Sequence, residues 1–547
     1  MTTQSSHLRN LPSTVCRPPI TVPTTNDIKT KRFMFTSLAI TNFKAFADTQ
    51  AIPLRPITLV FGANSSGKSS IIHSLLYARH VWGHGDCDAH LLAGGGEGVD
   101  LGGFWNLVHA HETDRPVGIT VEFRVPQDAD EGLRRLAGDR PLAATVWIGT
   151  ETPAQDEPSS AAQPRIQRVE VRGQEKLLLS YCFVAPARFR YGHVEPCVVV
   201  PWVTSFDRLP QSSLQLAEGA PAYEGDEIRK QLIDAIAALR AGPAELVEEL
   251  KRHEYQCEGS WLLSALAARR RRDAQARVNA QADLEREEPT ELGDESWECG
   301  VVELDSLRHE LAEQLFARPL VHVGPLRRCP PRFLAEAIGG TPAGAPPGVS
   351  WERIASSVSV RAAVNEGLQQ IGLQYQLEPR EWRDSKNPRR YLRELLLLDS
   401  HGRELGPRDV GFGVSQVIPV ISEALGRESS LVAIEQPELH LHPAQQSELG
   451  DIFLKAALPA GETRNQFILE THSEHLILRI MRRMRETYEK RLPAGLPCVL
   501  PEHVAVVYVE PDGPRSIARE MPLNERGELV KPWPGGFFEE GLKEVLA

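Results

Sequence analysis

The chain has 547 residues and a formal net charge of −12 at pH 7, room for about two to four domains and too acidic for blanket affinity for nucleic acid. No apolar run approaches the ~18 residues of a membrane span, and the N-terminus has neither the apolar core nor the cleavage signature of a secretory signal. Its eight cysteines include no C-x-x-C pair, which argues against a disulfide framework or zinc ribbon and for a cytoplasmic protein with reduced thiols.

Residues 1–33 are rich in Thr, Ser and Pro without periodicity and read as a flexible tail, with Met34 a candidate start of the fold. The next part, 34–224, opens with a strand pattern, SLAITNFKAF, and a second strand, Ile57-Thr58-Leu59-Val60-Phe61. That strand runs into GANSSGKSS, Gly62–Ser70, and IIHSLLYA then reads as a helix. Strand, loop and helix together make G-x-x-x-x-G-K-[ST] a phosphate site. Gly62, Asn64, Ser65, Ser66, Gly67 and Ser70 supply a loop whose amides cradle phosphates. Lys68 reaches the β- and γ-phosphates, and the Ser69 hydroxyl holds Mg²⁺. This pattern implies a nucleoside triphosphate site. Beyond it, VGITVEFRV, ATVWIG and VEVRGQEKLLLSYCFV alternate as strands of an antiparallel sheet.

Near residue 225 the period lengthens. Ile228, Leu232, Ile236 and Leu239 share one helical face, Gly242-Pro243 breaks it, and Leu304, Leu307, Leu311 and Leu315 make another stripe. Residues 225–318, with Arg269–Arg272 inside, read as a helical insertion. Strands and helices alternate again in 319–500. There Asp409–Val417, DVGFGVSQV, places Gly413, Ser415 and Gln416 at a second anion-binding helix start. Leu431-Val432-Ala433-Ile434 ends in Glu435-Gln436-Pro437-Glu438, so a carboxylate leaves a buried strand where it can meet Mg²⁺. Phe467-Ile468-Leu469 ends in Glu470-Thr471-His472-Ser473, which offers His472 to a γ-phosphate or its attacking water. A small C-terminal domain is expected at 501–547.

LGGFWNLVH, VGPLRRCPP, DVGFGVSQVIPV, EQPELHLHP, ETHSEHLILR and WPGGFF together resemble a family of RecF/SMC-like ABC-type AAA ATPases. Within it, the chain is similar to the prokaryotic group related to the ATPase part of the overcoming-lysogenization (OLD) nucleases. The likeness covers about residues 34–125 and 320–545. It implies an α/β P-loop ABC-type ATPase head, a mixed sheet flanked by helices plus an antiparallel β-subdomain, here with a helical insertion. It further implies ATP and Mg²⁺ as cofactors, and a homodimer or higher homo-oligomer that sandwiches ATP. Lys68 and Ser69 of one copy would then face Gly413, Ser415 and Gln416 of the other. Double-stranded DNA and a separate effector, a nuclease or a toxin, are the partners it suggests, with no membrane.

The pattern departs from that family in two places. Where such heads carry Asp-Glu, this chain has Glu435-Gln436, so Glu435 can serve the metal but Gln436 cannot accept a proton. Glu438 or His472 is then expected to sustain a weak ATPase, and the alternative is a non-hydrolysing, ATP-locked scaffold. Residues 71–126 also lack the metal-contacting glutamine usual after the phosphate-loop helix. His440 and His442 with Glu438, and His84, Cys87 and His90, are weaker metal patterns, read as interface loop and polar loop. Arg479, Arg482 and Arg483 are candidate phosphate-backbone contacts, as are Arg269–Arg272, and Arg327 could bridge to nucleotide or a neighbouring head. VAVVYVEPDG resembles the opening of a TOPRIM nuclease domain. About thirty-five residues follow it, against the hundred or so of a typical domain, which disfavours an OLD-like stand-alone nuclease.

Overall fold

The structure, a computed structural model, describes residues 34–92, 98–125, 140–150, 163–173, 176–184, 198–203, 316, 318–327, 332–335, 351–383, 391–459 and 465–534. The expected tail 1–33 and Arg269–Arg272 lie outside these residues, as does the expected insertion 225–318 apart from 316 and 318.

Strands β1 (Met34–Thr41), β2 (Gln50–Pro53), β6 (Val117–Arg124), β7 (Leu142–Thr150), β8 (Pro164–Gly173), β9 (Lys176–Val184) and β10 (Val198–Val203) form one antiparallel sheet. Its order is β10-β9-β8-β7-β6-β1-β2. The stretches expected to alternate as strands are β6 to β9 of this sheet. A second sheet contains β3 (Ile57–Gly62), β11 (Leu320–Val323), β16 (Leu431–Glu435), β17 (Gln466–Glu470), β18 (Val504–Asp512) and β19 (Arg515–Glu520). The order is β11-β16-β17-β3-β18-β19, parallel throughout except for β19. Smaller antiparallel pieces are β12 (Phe333–Ala335), β13 (Tyr375–Arg383), β14 (Tyr391–Asp399) and β15 (Glu404–Leu405), and the pair β4 (Leu91–Leu92) with β5 (Val99–Asp100). The helices are α1 (Lys68–His84), α2 (Phe104–Leu107), α3 (Trp351–Ser356), α4 (Val358–Gln370), α5 (Phe412–Leu425), α6 (Pro443–Ala457) and α7 (Glu474–Tyr488).

The parallel strands are apolar on both faces because both are covered. Side chains of a strand alternate between faces, and each face here has its own core. Val60, Leu431, Ala433 and Ile468 pack with α1 and the antiparallel sheet. Ile57, Leu59, Phe61, Val432, Ile434, Phe467 and Leu469 pack instead with α4, α5, α6 and α7. This is the expected α/β class, a mixed sheet flanked by helices with an antiparallel β-subdomain. One division differs from expectation. Strands β18 and β19 complete the sheet of β3, so a boundary at 500 cuts through a single sheet. The VAVVYVEPDG stretch is therefore a strand beside the phosphate loop and not the start of a separate TOPRIM domain.

Among the described residues, no helix is long and apolar enough to cross a membrane.

Candidate nucleotide site

The parallel order brings the C-terminal ends of β3, β17 and β16 side by side, the edge where open α/β sheets bind ligands. Each end supplies one part of the site. From β3 the chain turns through Ala63, Asn64 and Ser65, all exposed, into α1. Ser65 has a left-handed φ of 62°, and Gly67, the residue capping α1, has φ 93°. Gly67 is left-handed and also touches Ala45, so a β-carbon there would be both strained and blocked.

Helix capping separates α1 and α5 from α4, α6 and α7. Ser357 caps α4, His442 caps α6 and Ser473 caps α7, each with a side chain that accepts a backbone N–H. Helices α1 and α5 begin instead at Gly67 and Gly411 without any side-chain cap. Ser70 N–H donates to Gly67 O and Val414 N–H to Gly411 O, which leaves the two amides before each of them for an external acceptor, and the helix dipole favours an anion there. The buried Ser66 hydroxyl also lacks a hydrogen-bond partner. The loop thus fits a polyphosphate.

Lys68 crosses back over the loop, where Nζ donates to Gly62 O at 3.2 Å and Ala63 O at 2.8 Å. Burial pulls its ammonium below the ordinary value, opposed by Glu470 and Glu438. Ser69 Oγ donates to Glu470 Oε2 at 2.7 Å. Glu470 and Glu435 are register partners on adjacent strands, so the two carboxylates lie next to each other. Burial, and after it the neighbouring charge of Glu435, pushes Glu470 up to about 7 against the opposing effect of the Ser69 bond. The Ser69 hydroxyl with Glu470 and Glu435 beside it fits a divalent cation whose other positions a bound polyphosphate would fill. When bound, Mg²⁺ would offset charge on the β- and γ-phosphates.

Glu435 carries its own set of partners. His322 Nε2, on β11, donates to its Oε1 at 2.7 Å, and His73 Nε2, on α1, stands 3.6 Å from the same oxygen. Lys44 Nζ donates to His73 Nδ1 at 2.8 Å, which leaves the Nε2 proton of His73 facing Glu435. Burial alone would raise Glu435, but the two imidazoles outweigh it and hold the carboxyl well below the usual range. Burial also lowers His73 and Lys44.

The residues after β16 make a braced turn. Gln436 sits at φ 47°, left-handed for a residue with a β-carbon, and its N–H donates to Glu470 O at 2.7 Å. Glu438 is buried, accepting from Thr471 Oγ1 at 2.8 Å and from the His472 N–H at 2.8 Å. Both carboxylate oxygens therefore hold the β17–α7 turn, and burial raises the carboxyl. Glu438 is placed as a strap, which differs from the free base expected of it. His472 is partly exposed, and burial, with Lys68 nearby, lowers its imidazole.

At the start of α5, Gly413 passes so close under His440 O that a β-carbon would collide with that carbonyl. Ser415 is buried with Oγ turned onto Phe412 O at 2.9 Å. Gln416 is fully buried and spent on the backbone of Arg327, away from the surface where a neighbouring copy would meet it. Arg327 in turn donates through Nη2 to Glu435 O at 2.6 Å and Gln436 O at 2.9 Å, and burial brings its guanidinium down to about 10. The structure therefore gathers Lys68, Ser69, Glu435, Glu438 and His472 at one edge and links α5 to it through Arg327.

Other candidates fall elsewhere. His442 caps α6, and His440 packs edge-on against Phe412. Cys87 is buried with its thiol toward Gly85 O, and His90 lies beside Asp88. Among the described residues no group of three His, Cys, Asp or Glu is placed to hold a metal ion. Arg483 is buried on Asp451, Arg479 is held by Asp451 and Glu448, and only Arg482 is well exposed, paired with Glu486. Their positive charge is neutralised within the fold, which removes Arg479 and Arg483 as phosphate contacts. Sequence reasoning missed Lys44, His73, His322 and Glu470. Two signals pointed toward them: His73 lies four residues after Ser69 on the same helix face, and Glu470 ends a parallel strand.

Residues 351–479 match a family model described as "AAA domain, putative AbiEii toxin, Type IV TA system", and residues 37–83 match one described as "AAA domain". Those segments contain the phosphate loop, the α5 start, Glu435, Glu470 and His472. No curated protein matches the chain. Among solved structures, the chain is similar to the SMC head domain from Thermotoga maritima, at 10% identity over 89% of this chain and 99% of that one, with a TM-score of 0.33. It is also similar to the Smc head domain with an extended coiled coil bound to the C-terminal domain of ScpA, derived from Pyrococcus furiosus. There the identity is 11% over 94% of this chain and 99% of that one, with a TM-score of 0.36. Overlaps this loose carry no argument. Strand order and phosphate loop themselves make an α/β P-loop fold, and both matched family models are described as AAA domains.

Proposed function

We propose that this chain is a cytoplasmic, ATP-binding and slowly ATP-hydrolysing switch that closes as a homodimer or larger homo-oligomer over ATP and Mg²⁺. It acts beside double-stranded DNA in genome maintenance or defence against phage, and it controls a separate effector, a nuclease or a toxin. The observation that supports this reading best is the uncapped start of α1 with Lys68 and Ser69, set against the carboxylates that end β16 and β17. A site built this way binds and orients a polyphosphate through backbone amides and Lys68. His472, partly exposed beside the loop, is placed to hydrogen-bond a terminal phosphate or a water. Slow turnover is part of this proposal, and two features of the site support it. Gln436 cannot take a proton, and Glu438 is buried with each oxygen already accepting a hydrogen bond that holds it to the β17–α7 turn; loss of a general base costs about 10²–10⁴-fold. The DNA and effector roles rest on family analogy, joined by the toxin named in the description of the matched family model.

Steady-state ATP hydrolysis with and without double-stranded DNA, alongside Lys68→Ala, tests this reading. Turnover that DNA stimulates and Lys68→Ala abolishes supports it. The occupied Glu438 favours one second reading, a nucleotide-locked scaffold, whose mark is tight ATP binding without turnover. Absence of any nucleotide binding overturns both.

A further inference from the structure

Three carboxylates converge on the phosphate loop, and their partners differ. Oε1 of Glu435 is engaged by His322 at 2.7 Å with His73 at 3.6 Å. Glu438 is closed on both oxygens by Thr471 and the His472 amide. Glu470 receives the Ser69 hydroxyl proton at 2.7 Å and lies buried one strand from Glu435, between β16 and the phosphate-loop strand β3. A serine that gives its proton to a carboxylate turns its oxygen lone pairs outward, the orientation a cation needs. The sequence pattern sets Glu435, at the end of β16, toward the metal, but the Ser69 contact belongs to Glu470 at the end of β17.

Resting on the nucleotide-switch reading above, we propose that Glu470 is the positioning residue for the metal at this site, orienting Ser69 and placing its negative charge beside the cation. Gln436 N–H donates to Glu470 O and Thr471 N–H donates to Val60 O, so the backbone around Glu470 is fixed from both neighbouring segments. The carboxylate is thereby held against the phosphate loop by main-chain bonds that do not depend on the ligand.

The test compares wild type, Glu470→Gln and Glu470→Asp. Glutamine keeps an acceptor for Ser69 and removes the charge, whereas aspartate keeps the charge. Mn²⁺ binding to the protein–ADP complex is followed by electron paramagnetic resonance, ADP binding is measured in EDTA, and melting temperature reports the fold. A positioning role loosens Mn²⁺ by about 10–100-fold in Glu470→Gln, with partial recovery in Glu470→Asp and unchanged ADP binding in EDTA. Mn²⁺ affinity in Glu470→Gln within about twofold of wild type overturns the assignment while leaving the nucleotide site standing. A wild-type protein that binds no ADP at all overturns the underlying reading, and the assignment falls with it. Should Glu470→Gln fail to fold, Glu470→Asp decides alone: the shorter side chain weakens Mn²⁺ binding if the assignment holds, and unaltered affinity overturns it.

Discussion

Arg327 and Gln416 hold each other twice. Arg327 N–H donates to Gln416 Oε1 at 3.0 Å, and Gln416 Nε2 donates back to Arg327 O at 2.6 Å, both in the interior. The same arginine reaches the carbonyls of Glu435 and Gln436, so the first turn of α5 and the end of β16 share one brace. Gln416→Ala leaves two buried backbone groups of Arg327 without partners. Each such group costs about 1–3 kcal/mol, so urea unfolding should show a loss of at least ~2 kcal/mol. A loss below ~0.5 kcal/mol would show that water takes over the two bonds.

Two glycines at the start of α5 should respond oppositely to a methyl group. Gly413→Ala drives a β-carbon into His440 O and forces the loop after β16 to move. Gly411 has φ −55° and nothing within 4 Å of its would-be β-carbon, so Gly411→Ala should change stability by no more than ~0.5 kcal/mol. Thermal melting of the two variants side by side checks the contrast. Equal melting temperatures refute it.

Helix α7 carries a buried ion pair with a stability cost on its removal. Arg483 meets both oxygens of Asp451 at 2.8 and 2.7 Å, and Asp451, with Glu486 beside it, raises the guanidinium above its ordinary value. Arg483→Ala removes both of its bonds to Asp451 but leaves that carboxylate paired with Arg479 at 2.8 Å, so the loss should be about 1.5–3 kcal/mol. Arg482 is exposed, so Arg482→Ala should cost less than ~1 kcal/mol. Denaturant titration separates these outcomes, and equal, small losses would show that Arg479 alone satisfies Asp451.

Asp399, at the turn after β14, gives a pH signature. The Arg403 N–H first, then the Arg403 guanidinium and the His401 N–H, hold its carboxyl down at about 2 from 3.8 despite some burial. A depressed carboxyl contributes stability that is present above its unfolded value and is lost as pH falls through its folded one. Asp399→Asn should therefore melt below wild type at neutral pH, with the gap closing between about pH 4 and 2. A gap of constant size across that range would sink the electrostatic account.

The phosphate loop, the two glycine-led helix starts and the buried parallel strands were all legible in the sequence, because each rests on local pattern. Glycine at a left-handed position, alternation and apolar runs need no partner to be recognised. What escaped was long-range. Lys44, His73 and His322 converge on Glu435 from β1's following turn, α1 and β11, and no spacing rule joins positions 44, 73, 322 and 435. Arg479 and Arg483 looked like a basic face because the acidic residues that neutralise them, Glu448 and Asp451, belong to a different helix. Glu438 looked like a free base for the same reason, as Thr471 and His472 lie on another turn.

The place of β3 in its sheet also sets a timetable. Its neighbours on either side are β17, Gln466–Glu470, and β18, Val504–Asp512, so the phosphate-loop strand near residue 60 has no neighbour until β17 is made and lacks its second until β18 follows. The first neighbour, β17, is complete only at residue 470, and at ribosomal speeds of roughly 5–20 residues per second that interval is on the order of tens of seconds. Through it, an apolar strand and a phosphate loop wait without their sheet. Nascent chains should therefore acquire nucleotide affinity late and all at once, and a chaperone that shields β3 in the meantime would govern the yield of competent protein.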